Sequence, residues 1–557
     1  MRRRWIYLGL VVLVSSLVVF GAFNPAPHSG GDNAGYVTLA YSLVSHHTYT
    51  DLYDPAQLPH TKYPPVFPAL LAFLMLLGAR TWTALKTVAA VSTVAMTGFT
   101  YLWAERRLGS GRALGVAGAV ALSASVVYYS HWILSDPTFL ALTMAALWAF
   151  DRAEEEGAPT GWLVLGVAAA GLAYFTRSAG LPLLVALGGW LALRRRWRAL
   201  AGAALAVGIP AFLWWLRAHS VGQIEYTSEF WMVNPYQPSL GRVGIGGLLA
   251  RVVTNVRGYV GTHIPTGIFG RGGGPGIVVL GGILVVLGVA GWARRCTRRI
   301  GVVELFAPLY AGLILLWPAV WSGDRFALPL LPILFLFAIE LLTEGARRLG
   351  DMTASLVGLV GLLVVVLPAF GNWLSATRQA STCAALTKQN GAFACYGTRF
   401  ADFTDAAVWS GANLPAGSVV LSRKPRIFFV LSGLRSRTFP FDVQPVAHLA
   451  LADSVDARYE LLDQVDGLAG RYVGGAIRRQ PGAWCDIRPF GRGTGVGTRL
   501  FGLLPPDDRA PPESGGEART VRIRACPASY VRSGANLSNY PSSPPSSKIP
   551  LLEGMDP

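Results

Sequence analysis

Apolar segments separated by short polar stretches recur through the first two thirds of the chain. A membrane-spanning helix needs roughly 20 apolar residues, and a shorter segment reaches that length when its ends extend into the flanking loops. The pattern therefore predicts about eleven spans, at residues 5–23, 81–104, 113–129, 137–150, 161–175, 180–193, 200–216, 276–292, 302–321, 326–342 and 354–373.

Arginine clusters between these segments predict the orientation of the spans. Basic residues near span ends favour the cytoplasmic side of a membrane. One further apolar segment, residues 65–78, would place the first cluster, at residues 2–4, opposite all later clusters if it crossed the membrane. We therefore predict that 65–78 is an interfacial or re-entrant helix within a first outer loop, 24–80. The N-terminus is then cytoplasmic in a multi-pass protein of the inner (plasma) membrane. An acidic run at 151–156 is expected to be a solvated inner loop.

Composition supports a membrane protein and disfavours a nucleic-acid partner. The chain is 52% hydrophobic and 14% charged, whereas a soluble domain has roughly 25% charged residues. The net charge is +17, but most arginines lie in short clusters between apolar spans, as expected of cytoplasmic anchors. Residues 1–23 begin like a signal peptide, yet their apolar stretch exceeds the ~7–15 residues of such a segment. We expect an uncleaved first span.

Beyond residue 373 the chain alternates short β-rich runs with helical stretches, a pattern typical of an α/β domain. We expect such a domain at 374–504 and a mostly disordered tail at 505–557, where Pro, Ser, Gly and Arg dominate. The predicted fold is a polytopic α-helical membrane domain at 1–373 followed by a small C-terminal α/β extracytoplasmic domain. The expected strands lie at 418–422, 427–431, 459–462, 499–503 and, in the tail, 520–525, with a helix at 446–452.

Cysteine usage agrees with this orientation. Four of the five cysteines, Cys383, Cys395, Cys485 and Cys526, lie in the predicted outer region, and an even number there indicates disulfides. Four cysteines allow three pairings; Cys383–Cys395 needs the shortest loop. A zinc site would be expected to have a C-x-x-C spacing or nearby histidines, and this region lacks both.

Polar side chains gather at the predicted outer ends of the spans. An ionisable residue at the membrane edge is a functional candidate, because its desolvation is costly unless the protein uses it. The candidates are Asp32, Lys62, Tyr63, His131, Asp136, Arg177, Asp324 and Arg325.

Each candidate also has a structural alternative. Asp32 could end the first span and face water. Asp136 precedes a proline and could cap a helix. The adjacent acid and arginine at 324–325 could form a local ion pair. The remaining alternatives are interfacial: extension of Lys62 into water, anchoring by Arg177 and packing by His131.

Five short motifs carry these residues in order: GDNAGY at 31–36, KYPPVFP at 62–68, SDP at 135–137, YFTRS at 174–178 and DRFALPLLP at 324–332. In order and placement they resemble the polyprenyl-phosphate-sugar-dependent glycosyltransferases of the C superfamily (GT-C). The resemblance covers residues 1–345 and is closest to the aminoarabinose transferases and the dolichyl-phosphate-mannose–protein mannosyltransferases. Where many relatives have Asp-Glu or Asp-Gly in the first loop, this chain has Asp32-Asn33. The donor and any metal requirement stay open.

The resemblance implies an enzyme of the cell envelope. It would move a sugar from a polyprenyl-phosphate donor to a lipid, glycan or protein acceptor on the outer face of the membrane. It assigns Asp32 as the general base that takes the proton of the acceptor hydroxyl. A single displacement at the anomeric carbon predicts inversion of configuration.

The departing phosphate would need cations, because they stabilise its developing charge. Lys62 and Arg325 are the candidates, supported by Arg177 and by Tyr63. Asp136 is a second acid that could bind a sugar hydroxyl, orient a cation or ligate a divalent metal ion. No cofactor is certain.

Two other functions remain open. A transporter or lipid flippase would place polar residues near the bilayer midplane and often shows inverted repeats; here the polar residues lie at one face. A structural member of an envelope-assembly complex would use the C-terminal domain as a binding module.

Overall fold

The computed structural model describes residues 2–221, 225–272, 274–491, 497–510, 523–535 and 549–553. These residues form two compact units that interleave along the chain. The first unit contains Met1–Phe23, Thr61–Phe67 and Lys86–Ser381, and the second contains Asn24–His60, Pro68–Leu85 and Thr382–Pro557.

Helices dominate the chain up to residue 390. In chain order they are α1 (Arg2–Gly21), α2 (Gly31–Ser45), α3 (Val66–Leu76), α4 (Trp82–Leu108), α5 (Ser110–Leu122), α6 (Ala124–Tyr129), α7 (Asp136–Ala153), α8 (Thr160–Thr176), α9 (Leu181–Leu193), α10 (Trp197–Ala203), α11 (Ile209–Ser220), α12 (Glu225–Trp231), α13 (Ile245–Gly258), α14 (Ile264–Phe269), α15 (Gly274–Cys296), α16 (Val302–Leu316), α17 (Asp324–Ala327), α18 (Leu331–Arg347) and α19 (Asp351–Asn390).

Helices occupy every predicted span, so the predicted helical membrane fold is confirmed. By length and composition, six helical stretches of the described residues could each cross a membrane alone: Arg3–Gly21, Trp82–Leu108, Trp197–Ser220, Gly274–Cys296, Asp324–Arg347 and Asp351–Asn390. Three predicted boundaries are wrong. The helix that contains the span expected at 354–373 continues to Asn390. The helix expected at 113–129 breaks at Ser123, whose backbone is extended, and the one expected at 302–321 ends at Leu316 because Pro318 follows.

Helix α2 is the main element that the sequence analysis missed. Its residues were assigned to an outer loop, yet Gly31–Ser45 form four turns in the second unit. Asp32 lies in its first turn, and most of the following residues, such as Tyr36 and Leu39, are buried. The apolar stretch is too short to suggest a span, so hydropathy alone does not predict it.

Ion pairs join the arginine clusters at one end of the first unit. Arg4 lies 3.8 Å from Glu105, next to Arg107 at the end of α4. Arg107 donates to Asp151 at 2.7 and 2.9 Å and to Glu304 at 3.2 Å. The expectation that the acidic run at 151–156 is a plain solvated loop is therefore wrong, because its first carboxylate, Asp151, pairs with the buried Arg107.

Helix α13 has inverted polarity, with polar residues buried and an apolar face exposed. Arg251 and Asn255 are buried, whereas the apolar side chains of Ile245, Leu249 and Val253 are 82%, 65% and 49% exposed. These apolar residues recur every four positions and so share one face. An exposed apolar face opposite a buried polar one is typical of a helix in contact with lipid rather than water.

The buried polar face of α13 donates hydrogen bonds to backbone carbonyls at the C-terminal end of α16. The amide of Asn255 donates to the carbonyl oxygens of Leu315 and Trp317, both at 2.8 Å, and Arg251 donates to that of Leu316 at 3.2 Å. The last carbonyls of a helix have no partner within the helix. The two side chains of α13 supply the missing donors.

Asn255→Ala should lower the stability of the protein by about 1–3 kcal/mol, because buried carbonyls would lose their donor. The thermal unfolding temperature of the purified protein in detergent measures this effect. Thr254→Ala is the matched control, since that exposed hydroxyl bonds only within its own helix. Equal unfolding temperatures for the two variants would contradict the capping role.

The sheet of the second unit contains parallel and antiparallel strands. Its strands are β1 (Val419–Leu421), β2 (Arg435–Arg437), β3 (Ala457–Leu462), β4 (Trp484–Phe490) and β5 (Thr498–Leu503), in the order β2-β1-β3-β5-β4. β1 is parallel to β2 and β3, whereas β5 is antiparallel to β3 and β4. The helices around it are α20 (Thr398–Asn413), α21 (Pro425–Ser432), α22 (Pro445–Ser454) and α23 (Leu468–Arg479).

The small α/β domain is as predicted, but one predicted strand is wrong. Residues 427–431 belong to α21, because Pro425 starts a helix at its first turn and Gly433 ends it in the left-handed conformation. Strands β2 and β4 were not predicted. Of the strand expected in the tail, residues 520–522 lie outside the described residues, and Ala525 forms a bridge to Asp486.

Two disulfides are present, Cys383–Cys395 and Cys485–Cys526. The pair with the shortest loop is thus formed. The second bridge crosses Gly502 on β5: a Cβ at that glycine would lie 2.6 Å from the sulfur of Cys526 and 2.7 Å from that of Cys485. Strand β5 can therefore carry no side chain at this point.

A buried histidine–glutamate pair lies in the core of this domain. The Nδ1 atom of His448 lies 2.7 Å from Glu460, whose other oxygen accepts a hydrogen bond from Trp484 at 2.9 Å. Burial disfavours the charged imidazolium, but the hydrogen bond and charge of Glu460 outweigh it, so the pKa of His448 is raised. Protonation of His448 therefore stabilises the folded domain.

The folded-state pKa of His448 is raised, so its contribution to the stability of the fold is complete below the unfolded pKa of roughly 6.5. This contribution is lost as the pH rises through the folded-state pKa. We expect the unfolding temperature of the full-length protein to fall from pH 6.5 to pH 8. His448→Gln should be less stable throughout and show a smaller fall over this range. A fall of the same size in both proteins would exclude His448 as the titrating group.

Candidate functional site

The predicted second acid and two predicted cations meet in the first unit. Oδ1 of Asp136 lies 2.9 Å from Nη1 of Arg177, and Oδ2 lies 2.8 Å from Nη2 of Arg325. The Nε atom of Arg325 also donates to Oδ2 at 2.9 Å. The Asp136 side chain is 6% exposed, whereas those of Arg177 and Arg325 are 16% and 19% exposed. Both carboxylate oxygens are therefore engaged, while the arginines stay partly accessible.

Three chain segments bring these residues together. Asp136 begins α7, with Pro137 at the start of the helix, where a missing backbone N–H costs nothing. The N-cap position of this helix is occupied by Ser135, not by Asp136, and the Asp136 carboxylate contacts the two arginines. Arg177 follows α8 with an extended backbone that carries it out of the helix, and Arg325 lies in the short helix α17.

Asp324 has partners of its own. It accepts hydrogen bonds from the hydroxyl of Ser125 at 2.7 Å and from that of Tyr129 at 3.3 Å. Its neighbour Arg325 contacts Asp136, so the two adjacent side chains join different parts of the unit. Ser125 and Tyr129 were not among the predicted residues, since hydroxyls on an apolar helix carry no distinguishing pattern.

The cation predicted in the first loop forms an ion pair. Nζ of Lys62 lies 2.8 and 3.1 Å from the carboxylate oxygens of Glu229, on α12. The next residue, Tyr63, is buried. His131 is also buried, and its ring packs near those of Phe23 and Trp132.

The predicted base belongs to the second unit. Asp32 lies in the first turn of α2, and its Oδ1 atom is 4.0 Å from Nη1 of Arg426, at the start of α21. The side chain of Asp32 is 37% exposed, which leaves a carboxylate accessible to solvent. Arg426 was not among the predicted residues, because it adjoins a segment assigned to a strand.

A divalent metal ion does not fit at Asp136. Hard cations need carboxylate oxygens that are free to bind them, and both oxygens here are paired with arginine. Among the described residues, no group of three or more His, Cys, Asp and Glu side chains is arranged to hold a metal ion.

Residues 62–216 match the sequence profile of the family described as dolichyl-phosphate-mannose-protein mannosyltransferase. This segment contains Lys62, Tyr63, His131, Asp136 and Arg177. No curated protein sequence matches the chain.

Two solved proteins share the fold. ArnT from Cupriavidus metallidurans, bound to undecaprenyl phosphate, is 16% identical; the match covers 91% of this chain and 99% of that one, with a TM-score of 0.54. The oligosaccharyltransferase AglB from Archaeoglobus fulgidus, in complex with an inhibitory peptide and a dolichol-phosphate, is 14% identical. That match covers 90% of this chain and 74% of that one, also with a TM-score of 0.54. The resemblance that the sequence indicates is thus confirmed: the chain has the fold of ArnT and AglB, and residues 62–216 match the mannosyltransferase profile.

Proposed function

We propose that this protein is an integral membrane glycosyltransferase that moves a sugar from a polyprenyl-phosphate donor to an acceptor on the outer face of the membrane. The family match, the apolar helices and the fold shared with two proteins solved with polyprenyl phosphates support this function. Lipids, glycans and proteins are the acceptor classes open to it. The observation that carries the proposal is the cluster of Asp136, Arg177 and Arg325.

This cluster has the charge and geometry to bind a phosphate. Two arginines face one carboxylate, so one positive charge is in excess. A guanidinium presents several N–H donors in a plane, and it binds phosphate oxygens through parallel hydrogen bonds. Asp136 holds Arg177 and Arg325 close together, and both remain partly exposed. We propose that they bind the phosphate of the lipid donor.

Lys62 is the second proposed phosphate ligand. In its pair with Glu229 the ammonium group is already oriented, but its charge is neutralised. Binding of a donor would place its phosphodiester, which carries one negative charge, against Lys62 in place of the glutamate. Cleavage of the bond to the sugar converts it to a phosphate monoester with up to two negative charges, and the ammonium group would stabilise this added charge. Tyr63, next to it, would fix the backbone of this motif through its burial.

The proposed reaction is a single displacement. The acceptor oxygen attacks the anomeric carbon, and the bond between that carbon and the phosphate oxygen breaks. The polyprenyl phosphate leaves with the bonding electron pair. The proposed phosphate ligands Arg177, Arg325 and Lys62 stabilise the negative charge that develops on it. Asp32 takes the proton of the acceptor hydroxyl, a role that contributes typically about 10²–10⁴-fold to the rate. Attack from the face opposite the phosphate inverts the configuration.

Asp32→Asn should abolish sugar transfer, because an amide cannot accept the proton. The assay supplies proteoliposomes of the full-length protein with a panel of radiolabelled polyprenyl-phosphate sugars and with host membranes as acceptor. Labelled product identifies the sugar and the acceptor class. Asp54→Asn is the matched control, since this acid lies in the same loop and pairs with Arg437 on the surface of the second unit.

Wild-type transfer by Asp32→Asn would exclude this residue as the base. Failure of every donor with the wild-type protein, together with net movement of lipid across the liposome membrane, would instead favour a flippase.

Arg325→Lys should lower kcat/KM for the donor by roughly 10–100-fold, because lysine keeps the charge but loses the planar fork. Initial rates at several donor concentrations measure the effect. Arg257→Lys, at an exposed position on α13, should have wild-type rates. Unchanged kinetics in Arg325→Lys would contradict its role in phosphate binding.

A further inference from the structure

Within the second unit, the first turn of α2 lies beside the start of α21. The two helices approach closely at Gly35, where a Cβ would lie 3.1 Å from Cδ and 3.2 Å from Nη1 of Arg426. Gly35 and Asp32 are three positions apart and share one face of the helix. The arginine side chain therefore passes over the glycine and ends with Nη1 at 4.0 Å from the carboxylate of Asp32.

Further contacts restrict the position of Arg426. Its guanidinium lies over the ring of Tyr53, at 5.4 Å from the ring centre. The backbone carbonyl of Tyr53 accepts a hydrogen bond at 2.7 Å from the N–H of Ser436, on β2. The ring that supports Arg426 is thus tied to the sheet, and the Arg426 side chain is 18% exposed against 37% for Asp32. The cation is thus more buried than the carboxylate beside it.

The basic residues just before and at the start of α21 each lie near a carboxylate. Arg423, in the same turn, pairs with Asp466 at 2.7 Å. Burial, with the charge of Arg423, lowers the pKa of Lys424, and the charges of Asp466 and Asp32 oppose that shift. The turn before α21 is therefore a basic segment whose charges are matched by nearby carboxylates. Asp32 is a carboxylate that faces Arg426, at 4.0 Å from its Nη1 atom.

We propose that Arg426 is a positioning residue that fixes the orientation of the Asp32 carboxylate. The inference rests on the proposed function, in which Asp32 is the general base. A base must point its oxygen at the proton it removes, and a misplacement of about 1 Å can cost roughly 100-fold in rate. Arg426, a residue of the C-terminal domain, then contributes to the chemical step by holding the base.

The test measures transfer by the full-length protein in proteoliposomes, with the labelled donor that the panel selects and host membranes as acceptor. Arg426→Ala should lower kcat by roughly 10–100-fold while KM for the donor and the unfolding temperature stay close to wild type. Arg426→Lys should recover part of the loss, because it restores the charge. Gly35→Ala should also lower kcat, since the added methyl group displaces the arginine by a few tenths of an ångström, although alanine favours the helix.

The matched control is Arg437→Gln, which removes another arginine of this domain that pairs with a first-loop acid, Asp54, at 3.7 Å. Wild-type kcat in this control, with loss in Arg426→Ala, supports positioning. Three results would overturn the proposal: kcat within twofold of wild type in Arg426→Ala, an equal loss in Arg437→Gln, or a loss that only follows the fraction of unfolded protein. If Asp32→Asn is inactive while Arg426→Ala is normal, positioning fails and the proposed base stands. If Asp32→Asn is active, the proposed base itself fails.

Discussion

One carboxylate shared by two arginines ties together three separate segments of the first unit. Asp136 begins α7, Arg177 follows α8, and Arg325 lies in α17, nearly 190 residues further along the chain. Removal of such charges from water is expensive unless they are paired and hydrogen-bonded. The three segments must therefore fold so that the two arginines reach the carboxylate of Asp136. The same constraint acts near the C-terminal ends of α4 and α7, where Arg107 pairs with Asp151. It also acts at the start of α16, where Arg107 pairs with Glu304.

Hydropathy was sufficient to predict the helical membrane fold, because a long apolar segment has few other stable environments. It failed for α2, whose apolar stretch is short, and for residues 427–431, where a run of apolar residues fits a buried helix as well as a strand. Pro425 at the first turn was the local feature that could have distinguished the two.

The candidate residues were predictable by type and place, but their partners were not. Asp136 and Arg325 could each be selected from a motif, yet nothing local indicates that they meet. Glu229 and Arg426 are harder still, since each lies in a segment without a motif and becomes relevant only through a contact with a residue more than 160 positions away. Long-range pairing is a property of the fold, so a single sequence does not reveal it.

Gly502 lies where strand β5 passes the second disulfide. The space that a methyl group would occupy on β5 is filled by the cystine of Cys485 and Cys526 and by the ring of Tyr530. A residue larger than glycine at 502 would have to shift the strand, the cystine or the ring. The pairing of β5 with both of its neighbouring strands and the closure of this disulfide therefore depend on one residue without a side chain.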